Sequence, residues 1–126
     1  LANIHVLLVE DNLVNQLVAK ELLLSMQAKV TIAENGQKAL DLLSANSFDV
    51  VLMDIQMPVM DGLTAANIIR EQELRLQIKS ALPIIAMTAH AREEDKQRSL
   101  IAGMSLHIAK PVTSDVLRES ILQVTK

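Results

Sequence analysis

The stretch Asp49-Val50-Val51-Leu52-Met53-Asp54 decides the fold, because an unbroken apolar run lies between two carboxylates. An apolar run of this length without alternation is typical of a strand buried on both faces of a parallel sheet. Other short apolar runs rich in valine and isoleucine have the same character and cover residues 4–9, 28–33, 83–88 and 106–109. The run at 28–33 alternates polar and apolar residues, which predicts a position nearer the sheet edge.

Longer stretches with helical spacing separate these runs. In the first, one mostly apolar stripe contains Val14, Leu17, Val18, Leu22 and Ser25. The same spacing predicts helices around residues 39–43, 63–69, 92–102 and 116–124. Asp61 and Thr113 are suitable N-caps, and Gly103 is a suitable C-terminal stop. Residues 71–81 are predicted to be a long polar connection.

Strands and helices therefore alternate five times along the chain. Parallel strands need crossover connections, and such crossovers are right-handed, so helices are expected on both faces of the sheet. The pattern predicts an α/β fold with a doubly wound, five-stranded parallel sheet in the flavodoxin-like order 2-1-3-4-5. We expect one domain spanning residues 1–126.

The composition excludes several classes of protein. Half of the 126 residues are hydrophobic and the net charge is only −3, which argues against a disordered chain. The modest charge and the single aromatic residue, Phe48, argue against a nucleic-acid surface. The absence of cysteine excludes disulfides and thiolate metal sites. We find no signal-peptide pattern and no apolar run of membrane-spanning length, so no membrane contact is expected of this domain.

Polar side chains stand at the carboxyl ends of the predicted strands. Glu10-Asp11 follow the first strand, Asp54 the third, Thr88 ends the fourth, and Lys110 follows the fifth. The switch point of a doubly wound sheet lies at this edge, so these groups are expected to converge. Clustered carboxylates repel one another and favour Mg²⁺, which prefers oxygen ligands. A carboxylate beside Mg²⁺ and a lysine is well placed to attack a phosphoryl group.

The chain resembles the receiver domains of response regulators in two-component signalling. The resemblance covers essentially the whole chain through the motifs VLLVEDN, ENGQKAL, DVVLMDIQMPVMDG, PIIAMTAHA and AGMSLHIAKPV. The segments VEDNLVNQLVAKELL, MDIQMPVMDG and MTAHA resemble the receivers of hybrid sensor histidine kinases more than those of transcription factors. This resemblance implies a phosphorelay module that catalyses its own phosphorylation and dephosphorylation. It also implies that the parent chain is a protein histidine kinase.

The resemblance also implies the roles of individual residues at the metal site. Asp54 would be the phosphoacceptor. Asp11 would bind Mg²⁺ directly and Glu10 through a water, with the backbone carbonyl of Gln56 as another ligand. Mn²⁺ is an expected substitute. Thr88 would be the switch hydroxyl.

Further roles implied by the resemblance concern switching and tuning. Lys110 would pair with the phosphoryl group, and the Lys110-Pro111 peptide bond is expected to be cis. His107 occupies a position where receivers often carry an aromatic switch residue. Gln56, Ala89 and His90 stand where side chains of this family tune the phosphoryl lifetime.

The implied partners are a histidine kinase domain, a histidine phosphotransfer protein, or both. A cytoplasmic location is implied, with a parent kinase that can itself be anchored in a membrane. Two alternatives stay open: the receiver of a stand-alone response regulator, and an aspartyl-nucleophile phosphatase of haloacid-dehalogenase type. The phosphatase would need a second aspartate two residues after Asp54, where this chain has Gln56.

Overall fold

The protein is described by a computed structural model that covers residues 3–55, 60–78, 81–88, 93–110 and 112–125. Its strands are β1 (His5–Val9), β2 (Lys29–Ala33), β3 (Val50–Asp54), β4 (Ile84–Thr88) and β5 (Leu106–Ala109). Its helices are α1 (Leu13–Ser25), α2 (Gly36–Ala45), α3 (Gly62–Arg75), α4 (Glu93–Ile101) and α5 (Ser114–Val124). The predicted alternation of strands and helices is therefore confirmed.

The five strands form one parallel sheet in the order β2-β1-β3-β4-β5, as predicted. All residues of β3 and β4 are buried, whereas β2 is partly exposed at the edge of the sheet. Side chains on alternate positions of the strands enter two separate apolar clusters, one on each face of the sheet. Helices cover both faces, which explains why the central strands read as continuous apolar runs.

Capping side chains define where the helices begin. Asp61 accepts a hydrogen bond from the backbone N–H of Thr64, and Thr113 accepts one from Val116, so both predicted N-caps are confirmed. Gly103 has a φ of 97°, a left-handed conformation that glycine adopts without steric cost. This glycine ends the turn that follows α4, as the sequence predicts.

Two local predictions differ from the structure. The predicted apolar stripe of α1 is largely solvent-exposed, and the helix instead buries Gln16, Ala19 and Leu23. The polar connection predicted at 71–81 begins as helix, because α3 continues to Arg75. An ion pair between Arg70 and Glu73, one helical turn apart, supports that extension.

None of the helices in the described ranges combines the length and the apolar character that crossing a bilayer requires.

A close backbone approach at Gly62 fixes the start of α3 against the end of β3. The Gly62 N–H donates to the carbonyl of Ile55 over 3.3 Å. A Cβ atom at this position would lie 2.5 Å from the carbonyl oxygen of Asp54 and 2.8 Å from the Cα of Ile55. Both contacts are with backbone, so no side-chain rotation can relieve them.

We predict that Gly62→Ala lowers the free energy of unfolding by about 2 kcal/mol, since overpacking against backbone forces a local shift. Urea denaturation of the variant and the wild type measures this difference. Thr64→Ala is the matched control, because Thr64 is exposed in the first turn of the same helix. Equal stability of Gly62→Ala and the wild type would contradict the close approach.

Candidate functional site

Three carboxylates meet at the carboxyl edge of the sheet. Strands β1 and β3 are neighbours and pair Val9 with Met53, so the residues that follow them are adjacent in space. Glu10, Asp11 and Asp54 each offer a carboxylate oxygen, and these oxygens all lie within 4.8 Å of one another. Glu10 and Asp54 are buried, whereas Asp11 is exposed to solvent.

The side chain of Lys110 joins two of these carboxylates. Its ammonium donates to Oε2 of Glu10 and to Oδ2 of Asp54, each over 2.8 Å. The backbone N–H of Lys110 also donates to the carbonyl of Thr88 over 2.8 Å. The lysine is thus held at its backbone by β4 and at its ammonium by the residues after β1 and at the end of β3.

Burial and nearby charges shift the pKa values of Glu10 and Lys110. Burial raises the pKa of Glu10 above its ordinary value of 4.5, the Lys110 hydrogen bond opposes this rise, and the nearby Asp54 carboxylate adds to it. For Lys110, burial lowers the pKa, but hydrogen bonds first to Asp54 and then to Glu10 outweigh burial and raise it above 10.5. The ammonium therefore stays charged and keeps the site partly neutralised.

The donor set fits a small divalent cation. With all three carboxylates ionised, one ammonium would leave two negative charges uncompensated. At these separations each carboxylate pair repels by about 3 kcal/mol at an effective dielectric of ~20. A dication would neutralise this excess, and the exposed Asp11 gives it a route from solvent. All the side-chain donors are hard oxygens, which suit Mg²⁺ better than softer metals.

The structure describes two of the other predicted site residues, Thr88 and His107. Thr88 ends β4 and is fully buried next to the position at which β3 pairs Asp54 with Met87. His107 lies half-buried in β5, paired in register with Ala86. Its predicted switch role remains a prediction. The predictions for Gln56, Ala89 and His90 lie outside the described ranges, and so does the prediction for the Lys110-Pro111 peptide bond, because residue 111 is not described.

Sequence reasoning missed Gln16, which approaches the acidic residues from α1. Its side-chain amide donates to the backbone carbonyl of Glu10 over 2.6 Å, and the residue is buried. A signal was available in the spacing, because Gln16 falls on the same helical face as Ala19 and Leu23. A polar residue in a face of otherwise small and apolar residues needs a hydrogen-bond partner.

We predict that Glu10→Gln changes the pH dependence of stability in metal-free protein. The pKa of Glu10 is higher in the folded than in the unfolded protein. Protonated Glu10 therefore stabilises the fold fully below pH 4.5, and this stabilisation is lost as the pH rises through the folded-state pKa. The wild type should therefore lose stability relative to Glu10→Gln between about pH 4 and about pH 7, by about 1.4 kcal/mol for each unit of pKa difference.

Urea denaturation in EDTA at both pH values measures this effect. Glu119→Gln, which removes one negative charge from the exposed surface of α5, controls for net charge. A difference between Glu10→Gln and the wild type that stays constant with pH would contradict the assignment.

Comparison with known proteins identifies the family. The family model described as "Response regulator receiver domain" matches residues 6–122. The sensor protein GacS of Pseudomonas syringae is 41% identical over 121 residues, which cover 96% of this chain and 13% of that protein. Histidine kinase 5 of Arabidopsis thaliana is 36% identical over 140 residues, covering 94% of this chain and 15% of that protein. The chain thus spans only a small part of these relatives.

Solved structures agree in fold over nearly the whole chain. The receiver domain of Saccharomyces cerevisiae Ssk1, crystallised with the phosphotransfer protein Ypd1, has a TM-score of 0.93 at 30% identity and covers 98% of this chain and 90% of that one. The receiver of the sensor histidine kinase PA1611 of Pseudomonas aeruginosa, with magnesium in its active-site cleft, has a TM-score of 0.86 at 37% identity, with 98% of each chain covered. This chain therefore belongs to the response regulator receiver family and is a receiver domain of two-component phosphorelay signalling.

Proposed function

We propose that Asp54 is the phosphoacceptor and takes a phosphoryl group from a phosphohistidine on a partner protein. The observation that carries this proposal is the pairing of a buried Asp54 carboxylate with the Lys110 ammonium, beside two further carboxylates. Such a carboxylate is held in position by its ion pair and lies adjacent to a charge that can stabilise phosphoryl oxygens.

Transfer of the phosphoryl group from histidine to aspartate needs neither an oxidant nor a reductant. An Asp54 carboxylate oxygen attacks phosphorus, the new O–P bond forms, and the P–N bond to the donor imidazole breaks. The electron pair of that bond stays on the imidazole nitrogen, which can take up a proton. Later attack of water on phosphorus, or transfer to another histidine, regenerates the Asp54 carboxylate.

Glu10, Asp11 and Asp54 would hold a Mg²⁺ ion, with Mn²⁺ as a substitute and the Gln56 carbonyl as a further ligand. When bound, the ion supplies positive charge that stabilises the phosphoryl oxygens in the transition state. Magnesium in the active-site cleft of the Pseudomonas aeruginosa relative supports this choice of metal.

Lys110 and Thr88 would act on the transferred group. The Lys110 ammonium already touches Asp54 and can pair with a phosphoryl oxygen there after transfer. The Thr88 hydroxyl, one strand away, can donate a hydrogen bond to another oxygen. Because the Lys110 N–H is bonded to the Thr88 carbonyl, a shift of either residue would move the other. We propose that this movement shifts the population of states at the surface formed by α4 and β5, which changes the affinity for a partner, with His107, Ala89 and His90 tuning it.

We further propose that the parent protein is a hybrid sensor histidine kinase. The matched relatives include histidine kinases far longer than this chain, which corresponds to 13% of GacS. The immediate partners would be a kinase domain or a histidine phosphotransfer protein, as in the crystallised pair of Ssk1 and Ypd1.

An exposed apolar surface on α1 supports a protein partner near Asp54. This α1 apolar surface is made by Leu13, Val14, Leu17 and Val18, which are 74%, 67%, 60% and 49% exposed. It begins directly after the acidic residues that follow β1. A contiguous apolar patch beside a reactive group is suited to a docking partner that must bring its phosphohistidine to that group.

We predict that incubation with a small phosphodonor and Mg²⁺ adds one phosphoryl group to the wild type and none to Asp54→Asn. Intact-mass spectrometry measures the product, and EDTA should suppress it. Asp41→Asn is the matched control, because Asp41 is an exposed aspartate on α2. Uptake by Asp54→Asn equal to that of the wild type would show that another residue is the acceptor.

We predict that Leu17→Gln slows transfer from a phosphorylated histidine phosphotransfer protein by about fivefold or more, as expected for loss of an interface anchor. Labelling by a small phosphodonor should be unchanged, because the acidic site is intact. Leu74→Gln, at a leucine that is 80% exposed near the end of α3, is the control. Equal slowing in both variants, or none in Leu17→Gln, would refute docking at the α1 apolar surface.

A further inference from the structure

Two hydrogen bonds fix the backbone of Glu10 at the point where the chain leaves the sheet. Its N–H donates to the carbonyl of Ala33 at the end of β2 over 3.0 Å. Its carbonyl accepts from the side-chain amide of Gln16 over 2.6 Å. The first bond continues the pattern of the sheet, whereas the second depends on a single side chain of α1.

The direction of the Gln16 hydrogen bond follows from chemistry. A backbone carbonyl can only accept, so the NH₂ group of the Gln16 amide must face Glu10. Both residues are buried, with 9% of Gln16 and 1% of Glu10 exposed, so bulk water has little access to the carbonyl. Without Gln16 this carbonyl would lose its donor in a buried position.

Gln16 also closes a ring that includes the Glu10 side chain. The N–H of Gln16 donates to the carbonyl of Asn12 over 2.9 Å, as the first turn of α1 forms. The N–H of Asn12 in turn donates to Oε1 of Glu10 over 3.2 Å. The turn that carries Glu10 and Asp11 is thereby bonded to Asn12 through the Glu10 side chain and to Gln16 through the Glu10 carbonyl.

We infer that Gln16 is a positioning residue for the divalent-cation site, acting through the turn that carries Glu10 and Asp11. This inference rests on the proposed function, because the cation is the one proposed there. In this role Gln16 would contact the backbone of Glu10 rather than the cation or the phosphoryl group. Its amide holds the Glu10 carbonyl, and the turn orients the two carboxylates toward Asp54. Loss of an outer hydrogen bond of this kind typically weakens metal binding by about 10–100-fold.

The main test uses Gln16→Met, which keeps the length and bulk of the side chain but removes the donor. Calorimetric titration with Mg²⁺ should give a dissociation constant about tenfold higher than that of the wild type. In metal-free protein, the amides of Asp11 and Asn12 should exchange hydrogen faster. At saturating Mg²⁺ the rate of phosphorylation should return to within about twofold of the wild type, since the reacting groups are unchanged.

Leu23→Ala is the matched control for stability alone. Leu23 lies on the same buried face of α1, two turns further along and away from the acidic turn. Its truncation should lower the melting temperature without weakening Mg²⁺ binding by the folded protein. Gln16→Ala provides a second variant without the donor, and its loss of affinity should have the same direction.

The outcomes separate this inference from the proposed function. The role of Gln16 would be overturned if folded Gln16→Met or Gln16→Ala bound Mg²⁺ with wild-type affinity, or if Leu23→Ala weakened binding equally. In that case the wild type would still gain a phosphoryl group. A wild type that binds Mg²⁺ but gains no phosphoryl group would overturn the proposed function and leave the Gln16 result valid. A wild type that binds no Mg²⁺ would overturn both.

Discussion

The ammonium of Lys110 lies between two buried carboxylates, those of Glu10 and Asp54, at 2.8 Å from an oxygen of each. Two carboxylates this close would each suffer both desolvation and repulsion, and one counter-charge relieves both costs at once. The remaining excess of negative charge is then open to a divalent cation at Asp11. Lys110 thus compensates part of the carboxylate charge, and the excess that remains would favour a dication.

This interaction connects residues that the sheet brings together from distant parts of the chain. Lys110 and Glu10 are separated by 100 positions in the sequence. Because the backbone of Lys110 is bonded to Thr88, a change at the Asp54 carboxylate can reach β4 and β5 through two hydrogen bonds. In the proposed mechanism, redistribution of charge at the Asp54 carboxylate would be coupled to the conformation of β4 and β5 through these bonds.

The central strands could be predicted because burial on both faces requires continuous apolar side chains, as at residues 50–53 of β3. Helix starts at Asp61 and Thr113 could be predicted because capping depends on a few adjacent residues. The orientation of α1 could not, since its apolar stripe through Leu17 faces solvent while Gln16 and Ala19 face the sheet. Periodicity finds an apolar face but does not say whether the core or a partner covers it.

The sequence alone determined the order of the elements, the fold class and the identity of the polar residues at the strand ends, since these depend on local pattern and on short motifs. Only the tertiary structure decided that Lys110 bridges Glu10 and Asp54, that the pKa of Glu10 is raised and that the Gln16 amide donates to the carbonyl of Glu10. The physical reason is that charge pairing, desolvation and buried hydrogen bonds depend on distances between elements, which local pattern does not contain.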